Sequence, residues 1–491
     1  MREHISLLLV VTPLVMALIV AVLPRGKLPW AASLLTALAC LIFASIQLAA
    51  TINGETISYE LGGWPPPWGI EYRIDAVNAL VALIVSGIAL VTLLYSLSSA
   101  QQEIPEHKIP LFYSAFLLCF TGLLGIAQTG DIFNVFVFLE ISSLSSYALI
   151  SLGKQRQALT SAYQYLIMGT IGATFYLIGV GLIYSQTGTL NMADLARIIP
   201  GLLELNTTHT GFAFIIIGLA IKLAHFPLHL WLPNAYTYAP TVITVFLSAT
   251  ATKVAVYVVV RIMFYILPEG FMTTTPIGDM FVILGITGVI FMSVYAIYQS
   301  NVKRMLAYSS VAQIGYMALG IGLASAAGVT ATMIHLFNHA LMKATLFMAI
   351  GAIIYRTGAC QMENIHGLGK QMPWTFGAIV IGGLSLIGVP GTAGFISKWY
   401  LVMAALEQEA WITVSVILAG SLLAVIYMGR LIETLYFKPA PNNQAIVKEA
   451  PFLLLAPTWL LVFANIYFGL DTDLTVGAAS QATQILGVSG K

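Results

Sequence analysis

Lys222-Leu223-Ala224-His225-Phe226-Pro227-Leu228-His229-Leu230-Trp231-Leu232-Pro233 closes a long apolar run with a lysine, two histidines and two prolines. Proline removes a backbone donor, and a charge at the centre of a bilayer costs about 2.5–3.5 kcal/mol even on lenient scales. The stretch reads as a membrane helix broken at depth, where freed backbone groups are tolerated only against protein or a wet cavity. A second such stretch, Ile387-Gly388-Val389-Pro390-Gly391-Thr392-Ala393-Gly394-Phe395-Ile396-Ser397-Lys398, lies in the other half of the chain. Paired broken helices point to inverted repeats with a site near mid-membrane. Pro227, Pro390 and Gly391 are the expected break points, and Lys222 and Lys398 the expected counterparts beside them.

Composition agrees. The chain is 59% apolar and 8% charged, against roughly 25% charged for a soluble domain. The apolar runs are long and continuous, unlike the alternating segments of about 10 residues in a membrane barrel. The fold class is therefore an all-α integral membrane protein. We count about fourteen spans, among them a seventh at 209–231, an eighth at 240–266 and a twelfth at 372–405. The expected organisation is an N-terminal three-helix segment with an outer loop (1–108), five-helix repeats at 109–266 and 267–437, and a C-terminal helix and tail (438–491). Asn53–Arg73 reads as a loop and Asn191–Leu205 as a short surface helix.

Basic residues favour the cytoplasmic face. With the N-terminus outside, twelve of the 21 Lys and Arg fall in cytoplasmic connections and five opposite (Arg2, Arg73, Arg197, Arg261 and Lys491), leaving four inside spans. Both termini are thus expected on the non-cytoplasmic side of a cell inner membrane. A net charge of +1 gives no reason to expect nucleic acid or an acidic partner. Cys40, Cys119 and Cys360 lack redox or metal-ligand spacing and read as packing residues.

Five ionisable groups sit within apolar stretches: Glu140, Lys222, Lys253, Lys343 and Lys398. Glu140 is the one acid near the middle of a span. Lys222 is its natural partner; a static ion pair competes with a switchable one that loads and unloads a proton. Ser248 and Thr252 lead into Lys253 and could order water, although a plain hydroxyl-rich helix interface is the alternative. His335, His339 and Lys343 recur every fourth residue on one helix face, over about 12 Å. A helical zinc-protease pattern needs Glu after the first His, and Leu336 stands there, so no metal is expected. A proton relay and a packed polar interface remain. Lys398 suits a terminal role, and His225 and His229 could extend the path towards the cytoplasm. No nucleotide, haem or other cofactor motif appears. The chain would exchange ions down a gradient or be driven by a partner.

Lys222–Pro233, Asn301-Val302-Lys303-Arg304-Met305-Leu306-Ala307-Tyr308-Ser309-Ser310-Val311-Ala312-Gln313-Ile314-Gly315-Tyr316 and His335–Phe347 resemble the proton-translocating antiporter-like subunits of Mrp multisubunit Na+/H+ antiporters, respiratory complex I and membrane-bound hydrogenases. The resemblance runs from about residue 75 to 436 and is most similar to the D-type Mrp subunits. It implies fourteen helices, inverted five-helix repeats and a central hydrophilic axis. It also implies proton-carrying roles for Glu140, Lys222, Lys253, His335, His339, Lys343 and Lys398. The implied partners are other membrane subunits of a hetero-oligomer, H+ and Na+. The expected function is that of an ion-transporter subunit rather than a free-standing enzyme; a subunit of a redox-driven pump is the alternative, and a structural scaffold would need static pairs for all five charges.

Overall fold

The membrane-length apolar runs of the first third become helices in a computed structural model that describes residues 4–439 and 447–488. They are α1 (Ile5–Val22), α2 (Leu28–Thr51), α3 (Ala76–Glu103), α4 (Ile109–Gln128), α5 (Ile132–Ser151) and α6 (Gln157–Thr187). After the short α7 (Met192–Ile198), the seventh expected span is α8 (Asn206–Lys222) with α9 (Trp231–Tyr238). The eighth is α10 (Thr241–Ala249) with α11 (Ala251–Arg261). A short α12 (Phe271–Thr274) precedes α13 (Ile277–Ile297), α14 (Val302–Gly322) and α15 (Ala326–Thr357). Then come α16 (Leu368–Gln371), α17 (Pro373–Ile387), α18 (Ala393–Glu407), α19 (Trp411–Ile432), α20 (Phe452–Leu470) and α21 (Asp473–Ile485). Among the described residues, eleven helical segments are long and apolar enough to cross a membrane. The other three expected spans coincide with α8, α14 and the α17–α18 pair, which are shorter or more polar.

Local sequence explains where the helices start and stop. Asp75 caps α3, accepting from the N–H groups of Val77 at 3.0 Å and Asn78 at 3.3 Å. Asp131 caps α5 and Asn301 caps α14 in the same way. The two halves share a backbone pattern that their sequences hide. The 31-residue α6 and the 32-residue α15 each end at a left-handed glycine, Gly188 (φ 67°) and Gly358 (φ 68°). Each then bridges back to the preceding cap, Asn191 to Asp131 and Gln361 to Asn301. π-Helical turns at Ile262–Ile266 and Glu433–Phe437 follow α11 and α19.

The broken helices also close alike. α8 ends with Ala224 at φ 58° and the His225 N–H donating to the Ala220 carbonyl at 2.9 Å. α17 ends with Gly388 at φ 92° and the Val389 N–H donating to Leu384 at 3.0 Å. These are C-terminal caps that satisfy carbonyls a straight helix would have used itself. A side chain at Gly388 would be strained and would press on the Lys398 stem at 2.9 Å. α15 lies at the centre, almost wholly buried, packed against α3, α10, α14, α17, α18 and α20.

Several sequence expectations need correction. The eighth span is not one helix but breaks at Thr250 (φ −126°, ψ −57°). The helix of the seventh span, expected over 209–231, stops early, with Lys222 as the last helical residue of α8. Lys222 lies before its break and Lys398 after, so the two are not positional counterparts. The 53–73 loop contains an antiparallel hairpin, β1 (Ile57–Glu60) with β2 (Glu71–Ile74). A second C-terminal helix, α21, follows α20 and packs on α3 and α15. Arg261 is not a loop charge: it is buried in α11 and makes two 2.8 Å hydrogen bonds to Asp75. Lys303 is also buried and donates to the Ala239 carbonyl at 2.7 Å. The placements of Arg2 and Lys491 lie outside the described residues.

The Arg261–Asp75 pair ties α11 to the α3 cap. Removing one partner strands the other, a loss of about 3–5 kcal/mol. Arg261→Met should therefore lower the thermal unfolding midpoint sharply in detergent. Asp75→Asn with Arg261→Met, which keeps an N-cap side chain, should recover part of that loss.

Candidate proton pathway

Each buried lysine rests on oxygens that nearby backbone breaks or hydroxyls provide. Lys222 Nζ lies 3.4 Å from Glu140 Oε1 and donates to Ser143 Oγ at 2.8 Å. Glu140 and Ser143 sit on α5, one helix turn apart, so both can face the end of α8. The Glu140 side chain is 26% exposed and that of Lys222 4%. The pair therefore sits at the rim of the bundle with the lysine inside. A cavity of about 20 Å³, lined by Ser142, Ser143, Ser146, Tyr165 and Lys222, reaches Ala251, Val254 and Ala255 of α11. Its volume is enough for one water.

Lys253 is 1% exposed and donates to the Ser248 carbonyl and, at 3.4 Å, to Thr252 Oγ1. The α10–α11 break at Thr250 supplies this geometry, turning the Ser248 carbonyl towards a lysine five residues on. Lys343 donates to the Leu306 carbonyl at 2.8 Å and Ser309 Oγ at 2.5 Å, both on α14. Lys398 donates to the Leu386 and Ile387 carbonyls at 3.1 and 2.9 Å and to Ser421 Oγ at 3.0 Å. Its ammonium also lies 4.9 Å from the centre of the Tyr316 ring.

The histidine face of α15 joins these sites. His335 and His339 stack with centroids 5.8 Å apart and planes within 5°. His335 Nδ1 meets Ser397 Oγ at 2.8 Å, and its ring is 5.9 Å from Tyr316. Ring contacts therefore link His339 to His335 and His335 to Tyr316, over whose ring Lys398 sits, while the His335 hydrogen bond goes to Ser397, the neighbour of Lys398 in the chain. Both ring nitrogens of His339 and Nε2 of His335 are buried with no hydrogen-bond partner. His225 is buried against Phe281 with both ring nitrogens unpartnered, and His229 stacks on Phe226.

The structure thus brings Glu140 to Lys222 and His339 to His335, and it sets His335 beside Tyr316 and Ser397, which adjoin Lys398. It joins no hydrogen bond from Lys222 to Lys253 or from Lys253 to His339. Tyr316 and Ser397 escaped the sequence reading, although Tyr316 ends one of the quoted stretches and Ser397 adjoins Lys398. Asn465 of α20 was also missed. Its Oδ1 accepts from Ser385 Oγ at 2.9 Å, and Ser385 Oγ accepts from the Gly394 N–H at 3.1 Å, pinning the start of α18 to the end of α17. A Cβ on Gly394 would lie 1.8 Å from the Ser385 carbonyl oxygen, so only glycine permits this approach. Among the described residues no group of three or more His, Cys, Asp or Glu side chains could hold a metal ion.

Residues 129–424 match the family described as NADH:quinone oxidoreductase/Mrp antiporter, TM. The chain is 40% identical to the N-type subunit of the NADH-quinone oxidoreductase of Desulforudis audaxviator, with 98% of each chain covered. It is 30% identical to the D-type Na(+)/H(+) antiporter subunit of Alkalihalophilus pseudofirmus, over 88% of this chain and 87% of that one. It superposes on a chain of the Mrp complex from Dietzia sp. DQ12-45-1b with a TM-score of 0.89 and 25% identity, covering 99% of both.

Asn465→Leu would leave Ser385 Oγ without its acceptor and Thr345 Oγ1 without the 3.1 Å donor from Asn465 Nδ2. A stability loss of about 1–3 kcal/mol is expected, with protease sensitivity rising at the α17–α18 turn.

Proposed function

Because the chain belongs to the NADH:quinone oxidoreductase/Mrp antiporter transmembrane family, we propose that it is the proton-translocating membrane subunit of a multisubunit Na+/H+ antiporter. The observation that carries the reading is the Lys222–Glu140 contact, since Lys222 is the one lysine of the four with a carboxylate beside it among the described residues. A carboxylate at 3.4 Å favours the ammonium form. When that carboxylate turns away, burial favours the neutral amine, and the proton moves on. Glu140 lies at the rim, so a neighbouring subunit can reach it.

Protons then travel from the Glu140–Lys222 pair, by way of the serine-lined cavity that reaches the Ala251 and Val254 flanks of Lys253, along His339 and His335 with Lys343 alongside, and out by Lys398. His225 and His229, in the turn after Lys222, extend this path, and Ser248 and Thr252 seat Lys253. The division into repeats at 109–266 and 267–437, with the N-terminal segment (1–108) and the C-terminal part (438–491) as flanks, gives each half one span broken at a proline-containing turn. The matching closures of α6 and α15 support this division. We assign both termini to the non-cytoplasmic side of a cell membrane on the basic-residue asymmetry. The partners are other membrane subunits of a hetero-oligomer, as in the Mrp complex it superposes on.

A second reading, a proton-pumping subunit of a redox-driven complex, is favoured by the 40% identity to a quinone oxidoreductase subunit. Vesicles carrying the whole native gene cluster separate the two. Na+-dependent dissipation of a pH gradient without any electron donor is expected; activity only after a reductant is added moves the chain to the redox branch. In the same vesicles Lys222→Ala or Glu140→Ala should slow exchange about 100-fold or more with the complex still assembled. Unchanged exchange would overturn the assignment.

A further inference from the structure

A cleft of about 480 Å³ opens between α6, the turn before α9 and the first turns of α14. None of the four mid-span lysines lines it, and His229 is the residue it shares with the proposed path. Leu230 is 70% and Ile167 43% exposed at its mouth, so it opens sideways on the outer surface of the helix bundle. Its walls divide by chemistry. Ile167, Met168 and Leu230 form an apolar side. At the other side stands Arg304, whose guanidinium carbon lies 5.9 Å from the Tyr308 ring centre.

Arg304 is the informative group. Its Nε is buried with no acceptor, and no described carboxylate lies within ion-pair distance of it. Neighbouring basic residues are satisfied: Lys303 by the Ala239 carbonyl, Arg430 by the Ile297 and Gln299 carbonyls. A guanidinium at the membrane boundary without an anion is costly, and its planar donor fork matches a phosphate. His229, 5% exposed, also lines the cleft and leaves Nδ1 without a partner. The Asn234–Gln164 amide pair, at 2.9 Å, adds polar edges on the same rim.

We propose that this cleft binds an anionic phospholipid, its phosphate on Arg304 and an acyl chain along Ile167, Met168 and Leu230. Basic pockets between helices at a membrane boundary recognise anionic headgroups in this way. The lipid is favoured over free phosphate because the cleft opens sideways to the bilayer and one wall is apolar. Binding touches α6, the turn after the seventh-helix break and α14, so it would brace the two halves beside His229. This holds whichever driving force the complex uses.

The test is photolabelling of the assembled complex with a phosphatidylglycerol carrying a diazirine in its acyl chain. Labelled peptides should contain Tyr163–Met168 and Leu230–Asn234. Arg304→Gln should cut that labelling about fivefold, and Arg304→Lys should retain much of it. Ile167→Trp, which fills the apolar wall and leaves Arg304 intact, should also reduce it if Arg304→Gln fails to assemble. Equal labelling by the matching phosphatidylcholine probe, or no decrease in either Arg304→Gln or Ile167→Trp, would overturn the proposal. Displacement of the label by excess inorganic phosphate would overturn its lipid commitment and leave a free-anion site.

Discussion

An ammonium inside a bilayer must be solvated by something other than bulk water. This chain holds four such lysines and one mid-span carboxylate, so paired charge cannot solvate them all. Breaks in the helices supply part of the rest. The break after Ile387 frees the two carbonyls under Lys398, and the break at Thr250 turns the Ser248 carbonyl to Lys253. Lys343 uses Leu306 and Ser309 of the neighbouring α14. Unmet backbone acceptors and unmet ammonium donors would each be costly alone; placed together they satisfy one another. The irregular backbone and the buried charges are thus one structural solution.

The two halves apply that solution differently. After the first break, Trp231 Nε1 donates to the Ile221 carbonyl at 2.8 Å. After the second, Lys398 donates to Leu386 and Ile387. An indole N–H therefore meets the need for a donor beneath a broken helix without a titratable proton. Lys398 does the same structural task and keeps a proton that can leave. Lys222 differs again, because its partner carries charge and sits at the bundle rim. On the proposed path, a lysine beside a carboxylate stands at one end and lysines held by backbone carbonyls stand along it.

What the sequence disclosed follows from cost. A charge in an apolar run is too expensive to be accidental, so Glu140 and the four lysines were visible, as was the Glu140–Lys222 pairing. Pro227, Pro390 and Gly391 showed two breaks because they break helices by covalent geometry. The third break was hidden, since Ser248–Thr252 contains neither proline nor glycine. Tyr316, Ser397 and Asn465 were hidden because neutral polar side chains are cheap in a membrane helix and carry no spacing signal. Arg261 was misplaced because only the fold shows Asp75 facing it. The kinship of the halves lies in caps, φ angles and bridges, which different side chains can produce.

The central claim is that Glu140 and Lys222 act as one unit. The most direct measurement is a double-mutant cycle on exchange rate, using Glu140→Asp, Lys222→Arg and both together in the assembled complex. These variants keep charge and leave measurable activity. The account expects strongly non-additive effects, a coupling of about 1–3 kcal/mol. Additive losses would mean that the two groups act independently and would contradict it.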